Sequence, residues 1–452
     1  MSRTVIRGAR IVTMAPGRPD SEHADLMVDS GRIADIGSGL PGEGAEVVDL
    51  PGRIIIPGLV NAHLHTWQTA LRSVGADWTL IGYLMNVHVN GADHFTPADL
   101  RIGTLAGALN QINCGTTTLG DWCHNNPSPE HTDAAVDGLA ASGIRAVFLH
   151  GTPKRPADVP HSRSEIERLA RGVFSDRCGL LRLGMAISGP HYSDPAVAVF
   201  DFRLAAEHEL IVSMHQSGGS PTATEGWDAV ERAGLFGPRT NIVHGAGLTT
   251  ERLRRLVDHG VGFTCTPENE MGQGHCHPIT GRLLELGAAP SLGTDVESAV
   301  SGEVLGAARM ALAHQRILDH ENHRGVTGAI SPVPSITSKQ ALSWATVEGA
   351  KALGLAGEVG HLAVGMRADF VVIDARALNL WPAHDPIATA LHASLANIEG
   401  VMIDGRWRKR EGVLIDVDLD RLRSGLQESG GRILDAIGIR SGVSRRPVEC
   451  VG

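Results

Sequence analysis

Two histidines one residue apart close an apolar run, Pro57-Gly-Leu-Val-Asn-Ala-His63-Leu-His65. Successive side chains of an extended strand point to opposite faces, so His63 and His65 project together and can grip one ion. Three further strand-like runs end in a metal-ligand residue type: Ile211-Val-Ser-Met-His215, Asn241-Ile-Val-His244 and Ser291-Leu-Gly-Thr-Asp295. Imidazole nitrogen and carboxylate oxygen suit zinc first, and also iron or manganese, and a set without thiolate points to an open catalytic site. His63, His65 and His215 are the expected ligands of one divalent metal, with Asp295 as a further ligand and water in the remaining position. Such an ion lowers the pKa of its water to about 7, and Asp295 is the candidate base for the released proton. His244 either binds metal or polarises the leaving group. A lone strand histidine is more often a hydrogen-bonded core residue, but four His and one Asp at strand ends read as one converging site.

The elements that must position these residues alternate between strand-sized and helix-sized segments from residue 58 onward, the pattern of repeated βα units. Eight strand runs can be counted: Leu59 to His63, Thr116 to Asp121, Arg145 to Leu149, Leu181 to Ile187, Leu210 to His215, Asn241 to His244, Val261 to Cys265, and Pro290 to Asp295. Eight is the number that closes a (β/α)8 TIM barrel, whose chemistry sits at the strand C-terminal ends. Helical spacing is expected over Pro97 to Asn110, Asp133 to Ala141, Ser164 to Gly172, Ala196 to Glu209 and Thr250 to His259. Residues 1–57 read as short strands separated by Gly- and Pro-containing turns, and strands return after 355, with Asp404-Gly405 as a tight-turn pair. The expected α/β organisation is therefore a barrel over 58–355 and a small β-sandwich built from 1–57 and 356–452, ending in a helical tail over 418–440.

The 452 residues, 42% hydrophobic and 20% charged, supply an ordinary globular core. A net charge of -10 disfavours phosphate backbones and anionic membrane surfaces, which leaves a small molecule as the expected partner. No secretory signal and no apolar run of about 18 residues is found, so a cytoplasmic location is expected. Cys114, Cys123, Cys178, Cys265, Cys276 and Cys450 lack close pairing, which argues against a disulfide framework, and read as mostly buried thiols.

The order of Pro57-Gly-Leu-Val-Asn-Ala-His63-Leu-His65, His215, His244 and Leu292-Gly-Thr-Asp295, with a split strand-rich domain, resembles the amidohydrolase superfamily over nearly the whole chain. Asn61, Trp78-Thr-Leu-Ile-Gly-Tyr-Leu, Gly115-Thr-Thr-Thr and the closing Gly-Thr-Asp resemble the branch of cytosine, guanine and adenosylhomocysteine deaminases and triazine hydrolases. The resemblance implies a mononuclear metal held by His63, His65, His215 and Asp295, with His244 assisting attack on a ring carbon that bears an amino group or halide. It also implies a homo-oligomer. No Lys ends the fourth strand, where Met185-Ala-Ile-Ser-Gly-Pro runs, so a second, carbamate-bridged metal is not expected.

One departure stands out. The deaminases of this branch place a proton-shuttling glutamate three residues after the fifth-strand histidine, and here His215-Gln216-Ser217-Gly218 puts glycine there. Loss of a general acid or base costs about 10²- to 10⁴-fold in rate. Glu268 and Glu270, after the seventh strand, are candidate replacements, each weighed against a solvated or salt-bridged loop carboxylate. Cys265, His275, Cys276 and His277 lack the close pairing of a second metal site and read as pocket shaping. Trp67 and Gln68 offer an aromatic face and an amide suited to a flat heterocycle, with a packed tryptophan as the alternative. Trp122 and His191 are expected in the pocket wall.

The expected activity is aminohydrolase-like removal of an amino or similar leaving group from a nitrogen heterocycle or related small molecule. Removal of a halide or another leaving group that needs no ring protonation is the first alternative. A metal-retaining binding protein with little turnover is the second.

Overall fold

The computed structural model describes residues 3–439. Cys450 and the end of the expected helical tail at residue 440 lie outside the described residues. Eight strands, Leu59–Leu64, Thr116–Cys123, Arg145–His150, Leu181–Ile187, Ile211–Gln216, Thr240–His244, Gly262–Cys265 and Ser291–Leu292, form one sheet in chain order. Every neighbouring pair is parallel, and a parallel bridge between Leu64 and Asp295 brings the first and last strands together. These three runs are buried throughout because both faces are covered, the outer by helices and the inner by the barrel's own side chains. Val60, Ala62, Val147 and Leu149 pack inside the barrel with Ala350, Leu353, Leu355 and Val359, which floor it at the strand starts. The strand ends on the other side stay free for chemistry.

The expected helices form, each near its expected bounds. Pro97–Asn113 starts in a capping box of Thr96 and Asp99, and Thr249 caps Thr250–Asp258 through the Arg252 amide at 3.2 Å. The eighth strand is shorter than its sequence run, since the chain leaves the ladder at Gly293. Several elements had no expectation, among them the 24-residue helix Val304–Thr327 and irregular turns over residues 80–94.

The terminal segments build two packed sheets, as expected of the sandwich. One contains Arg32–Gly37, Asp25–Asp29, Arg3–Arg7 and Ala45–Asp49; the other joins Arg53–Pro57 antiparallel to Phe370–Asp374, with Ile56 opposite Val371. Ile6, Leu26, Ile33, Ile55, Phe370 and Met402 form the core between them. Arg145 of the third barrel strand donates to Asp369 at 2.8 Å, with both side chains 1% exposed, and ties the barrel to this sandwich. Among the described residues no helix is long and apolar enough to cross a membrane.

Candidate metal centre and pocket

His63 and His65 end the first barrel strand, His215 the fifth, and Asp295 follows the eighth. One ligand atom from each of these four lies within 4.8 Å of every other. His63 Nε2 stands 3.1 Å from Asp295 Oδ1 and 3.1 Å from His215 Nε2, and His65 Nε2 stands 3.4 Å from the same carboxylate oxygen. Ligand atoms about 2.0–2.2 Å from a common zinc would be spaced this way. Three imidazole nitrogens and one carboxylate oxygen, all turned inward, fit a single divalent ion.

Several local devices hold the four in place. His65 Nδ1 donates to the Trp122 carbonyl at 2.6 Å, which fixes the tautomer that leaves the Nε2 lone pair facing the cluster. Asn61 Nδ2 donates to Thr294 Oγ1 at 2.8 Å, while Asn61 Oδ1 accepts from the His63 and Thr294 amides, so one buried amide knits the first strand to the eighth. Gly293 is required by close approach: a Cβ there would stand 2.7 Å from the His63 carbonyl oxygen. Asp295 and His244 adopt left-handed backbone at φ 61° and 69°, a conformation uncommon outside glycine that costs on the order of 1–3 kcal/mol and tends to gather at functional sites.

Electrostatics follow from burial and charge. Burial pushes the His63 imidazole down to about 4 and holds His215 well below its usual value, so both present neutral rings. Burial alone would raise the Asp295 carboxyl, but the His63 and His65 imidazoles against it keep it well below the usual carboxylate range. His244 shows the opposite balance. Burial lowers it, yet the Glu270 hydrogen bond and the Asp295 charge win, and its pKa rises.

His244 Nδ1 meets Glu270 Oε1 at 3.1 Å, and its Nε2 faces Asp295 Oδ2 at 3.9 Å. Glu270 Oε1 is itself oriented by the Thr266 amide at 2.9 Å, and Asn269 donates to Asp295 Oδ2. Glu270 therefore joins the centre, while Glu268 on the same helical turn is half-buried, with burial raising its pKa, and does not line the cavity.

A cavity of about 430 Å³ opens beside the cluster, with His65, His215, His244 and Asp295 in its wall. Trp122 lines it, its indole N–H donating to Ser213 at 3.1 Å. Trp67, Gln68 and His191 do not line it. Trp67 is fully buried against Phe95 and His124, Gln68 donates to the Tyr83 hydroxyl at 2.6 Å from behind the wall, and His191 contacts the Gly218 carbonyl at 3.1 Å. Tyr83, His88, His124 and Tyr192 line the cavity without having been singled out from the sequence, and His275, expected to shape the pocket, lines it too. Of the four, Tyr192 directly follows His191, which was expected in the pocket wall. Gly218 has φ 124° and nothing within 4 Å of where a Cβ would stand, so the place of the family glutamate is open space. A second cavity of about 390 Å³, walled by Arg53, Glu399, Trp407 and Arg410 of the sandwich, shares no residue with the first.

The chain is 26% identical to a 5-methylthioadenosine/S-adenosylhomocysteine deaminase of Desulforamulus reducens, over 96% of this chain and 99% of that protein. It is 28% identical to a 5'-deoxyadenosine deaminase of Methanothermobacter thermautotrophicus, over 86% and 90% of the two chains. The fold matches a zinc complex of atrazine chlorohydrolase from Arthrobacter aurescens at TM-score 0.81 and 21% identity, covering 94% of this chain and 100% of the other. It also matches a zinc-bound adenosine deaminase from Xanthomonas campestris at TM-score 0.80 and 22% identity, covering 96% and 98%. Residues 54–408, which carry every barrel strand and all four inward-facing candidate ligands, match the amidohydrolase family model, and the chain belongs to that family.

Proposed function

We propose that this protein is a metal-dependent aminohydrolase that displaces an amino group from a nitrogen heterocycle with water. The observation that carries the reading is the convergence of three imidazole nitrogens and one carboxylate oxygen within 4.8 Å at the edge of a cavity large enough for a small heterocycle. The deaminase names of full-length relatives support it.

His63, His65, His215 and Asp295 would hold the ion, and zinc is the choice that the donor set and the zinc-bound neighbours favour. The ion supplies Lewis-acid activation of water at neutral pH. Asp295 Oδ2, ionised and held by Asn269, accepts the proton of the attacking water. His244, its Nδ1–H committed to Glu270, turns Nε2 toward the same oxygen and steadies the charge that develops during attack. Trp122 offers a flat apolar wall to the ring. The same reading takes the five free cysteines among the described residues as those of a cytoplasmic protein, and the exposed apolar stripe of Ile81, Met85 and Val89 as a contact between copies in a homo-oligomer.

A specific observation favours a second reading. With open space at Gly218, the position three residues after His215 offers no carboxylate to protonate a ring nitrogen, and a leaving group that needs no such proton, such as a halide, would suit the pocket. The test is release of ammonia and of chloride from matched amino- and chloro-substituted purines, pyrimidines and triazines. Each is assayed after chelation and after zinc is restored. Ammonia release that vanishes on chelation and returns with zinc is expected. Chloride release alone would select the second reading, and turnover indifferent to chelation would overturn both.

A further inference from the structure

Tertiary structure gives His277 a partner that chain spacing does not show. His277 lies on the loop between the helical turns Pro267–Gln273 and Thr280–Glu285, and His314 lies midway along the helix Val304–Thr327. Their ring centres stand 5.0 Å apart, and His277 Nδ1 meets His314 Nε2 at 2.8 Å. Close backbone approach enforces the encounter, because Gly281 has no room for a Cβ against the side chain of Gln315, the residue after His314. The pair shares no residue with the metal centre or with either cavity.

Both rings can turn a lone pair to a cation. Burial and the neighbouring His277 ring hold the His314 imidazole below its usual value, so it is neutral at pH 7. His314 Nδ1 is buried without a partner, so no hydrogen bond on that side commits the tautomer, and Nε2 is free to present its lone pair. His277 is exposed, and its ring has room to turn until its own lone pair converges on the same point.

Spacing selects the ion. Nitrogens 2.8 Å apart subtend about 90° at a metal ~2.0 Å from each, which is the cis angle of a square-planar ion and tighter than the tetrahedral angle of zinc. Imidazole donors at that angle suit copper(II) or nickel(II), and the general order of divalent affinities places copper(II) first. Water on the exposed side of His277 completes the coordination.

Position gives the ion a consequence. Two residues before His277, His275 lines the cavity beside the metal centre, its ring 4.5 Å from that of His244. Cys276 between them adopts φ 143°, backbone that a residue with a Cβ holds only when its surroundings constrain it. A cation bridging His277 to the helix would clamp this strained loop, and His275 with it.

We propose that His277 and His314 form a second transition-metal site that takes copper(II) and fastens the loop carrying His275 to the helix Val304–Thr327. The site stands apart from the aminohydrolase reading, and its test needs no turnover. Zinc-loaded protein is titrated with copper(II) and followed by calorimetry, elemental analysis and electron paramagnetic resonance. One copper(II) per chain is expected beyond the zinc, with couplings to two imidazole nitrogens. His277→Gln, at an exposed position that the fold does not depend on, and His314→Gln should each weaken that binding by about tenfold or more with zinc content unchanged. Copper(II) should also slow hydrogen exchange at the amides of residues 274–277 in the parent and in neither variant. Copper(II) that only displaces zinc, or that binds both variants as tightly as the parent, would overturn the site. Uptake that leaves exchange over 274–277 unchanged would overturn the clamp.

Discussion

The His65 amide donates to the Asp295 carbonyl at 2.8 Å, and the Asp295 amide donates back to the His63 carbonyl at 3.0 Å. The contact that joins the ends of the barrel is therefore made by the backbone of three of the four candidate ligand residues. Barrel closure and ligand geometry are one event, and damage to either should appear in both.

Gly293→Ala tests that coupling. The added methyl would stand 2.7 Å from the His63 carbonyl oxygen and 2.8 Å from its Cβ, in backbone with no room to yield. Overpacking of this kind costs about 1–3 kcal/mol. The variant should lose that much stability in denaturant titration and bind zinc substoichiometrically under conditions that saturate the parent. Full stability with full zinc content would separate closure from ligand geometry.

The His244 and Glu270 pair is predicted to serve turnover and not metal retention. Glu270→Gln keeps the Thr266 amide contact but removes the charge that raises the His244 pKa. His244→Asn removes the ring itself. Each should lower kcat by about 10²- to 10⁴-fold, with zinc measured by elemental analysis unchanged. A loss of zinc in step with activity would move His244 into the ligand set instead.

Gly218→Glu places a carboxylate where the deaminase branch carries one, into space with nothing within 4 Å. Because φ is 124°, an L side chain there is strained, with a cost on the order of 1–3 kcal/mol. Ammonia release from aminoheterocycles should nevertheless accelerate by about tenfold or more. An unchanged rate would mean that ring protonation does not limit the reaction.

Part of the acid sensitivity should come from outside the metal centre. His150 Nδ1 meets His161 Nε2 at 2.9 Å, and burial lowers His150 to about 4 and His161 well below its usual value. Both folded values lie below the unfolded value near 6.5, so the unfolded chain binds more protons as pH falls. Stability contributed by the neutral pair is complete above pH 6.5 and declines as pH drops toward 4, by about 3 kcal/mol for His150 at 1.4 kcal/mol per pKa unit. His150→Asn should flatten the pH 4–6.5 limb of the denaturation free energy, and a limb of unchanged slope would assign the sensitivity elsewhere.

Much of the architecture was legible before any coordinates. The eight apolar runs, the two histidines of the first strand and the closing Leu292-Gly-Thr-Asp295 carry local periodicity and residue chemistry that a reader of the chain can follow, since burial on both faces leaves an apolar signature. The pairing of Ile56 with Val371 was anticipated only as a possibility of joined ends, because register depends on residues more than 300 positions apart.

The sequence by itself determined which side chains could hold a metal, that strands would carry them, and that Gly218 lacks a carboxylate. Tertiary structure alone decided that Glu270 reaches His244 while Glu268 does not, that Trp67 and Gln68 lie behind the wall, and that His277 meets His314. The reason is physical. Residue type and strand period are local properties, whereas the direction of a loop side chain is set by partners that folding brings from elsewhere in the chain.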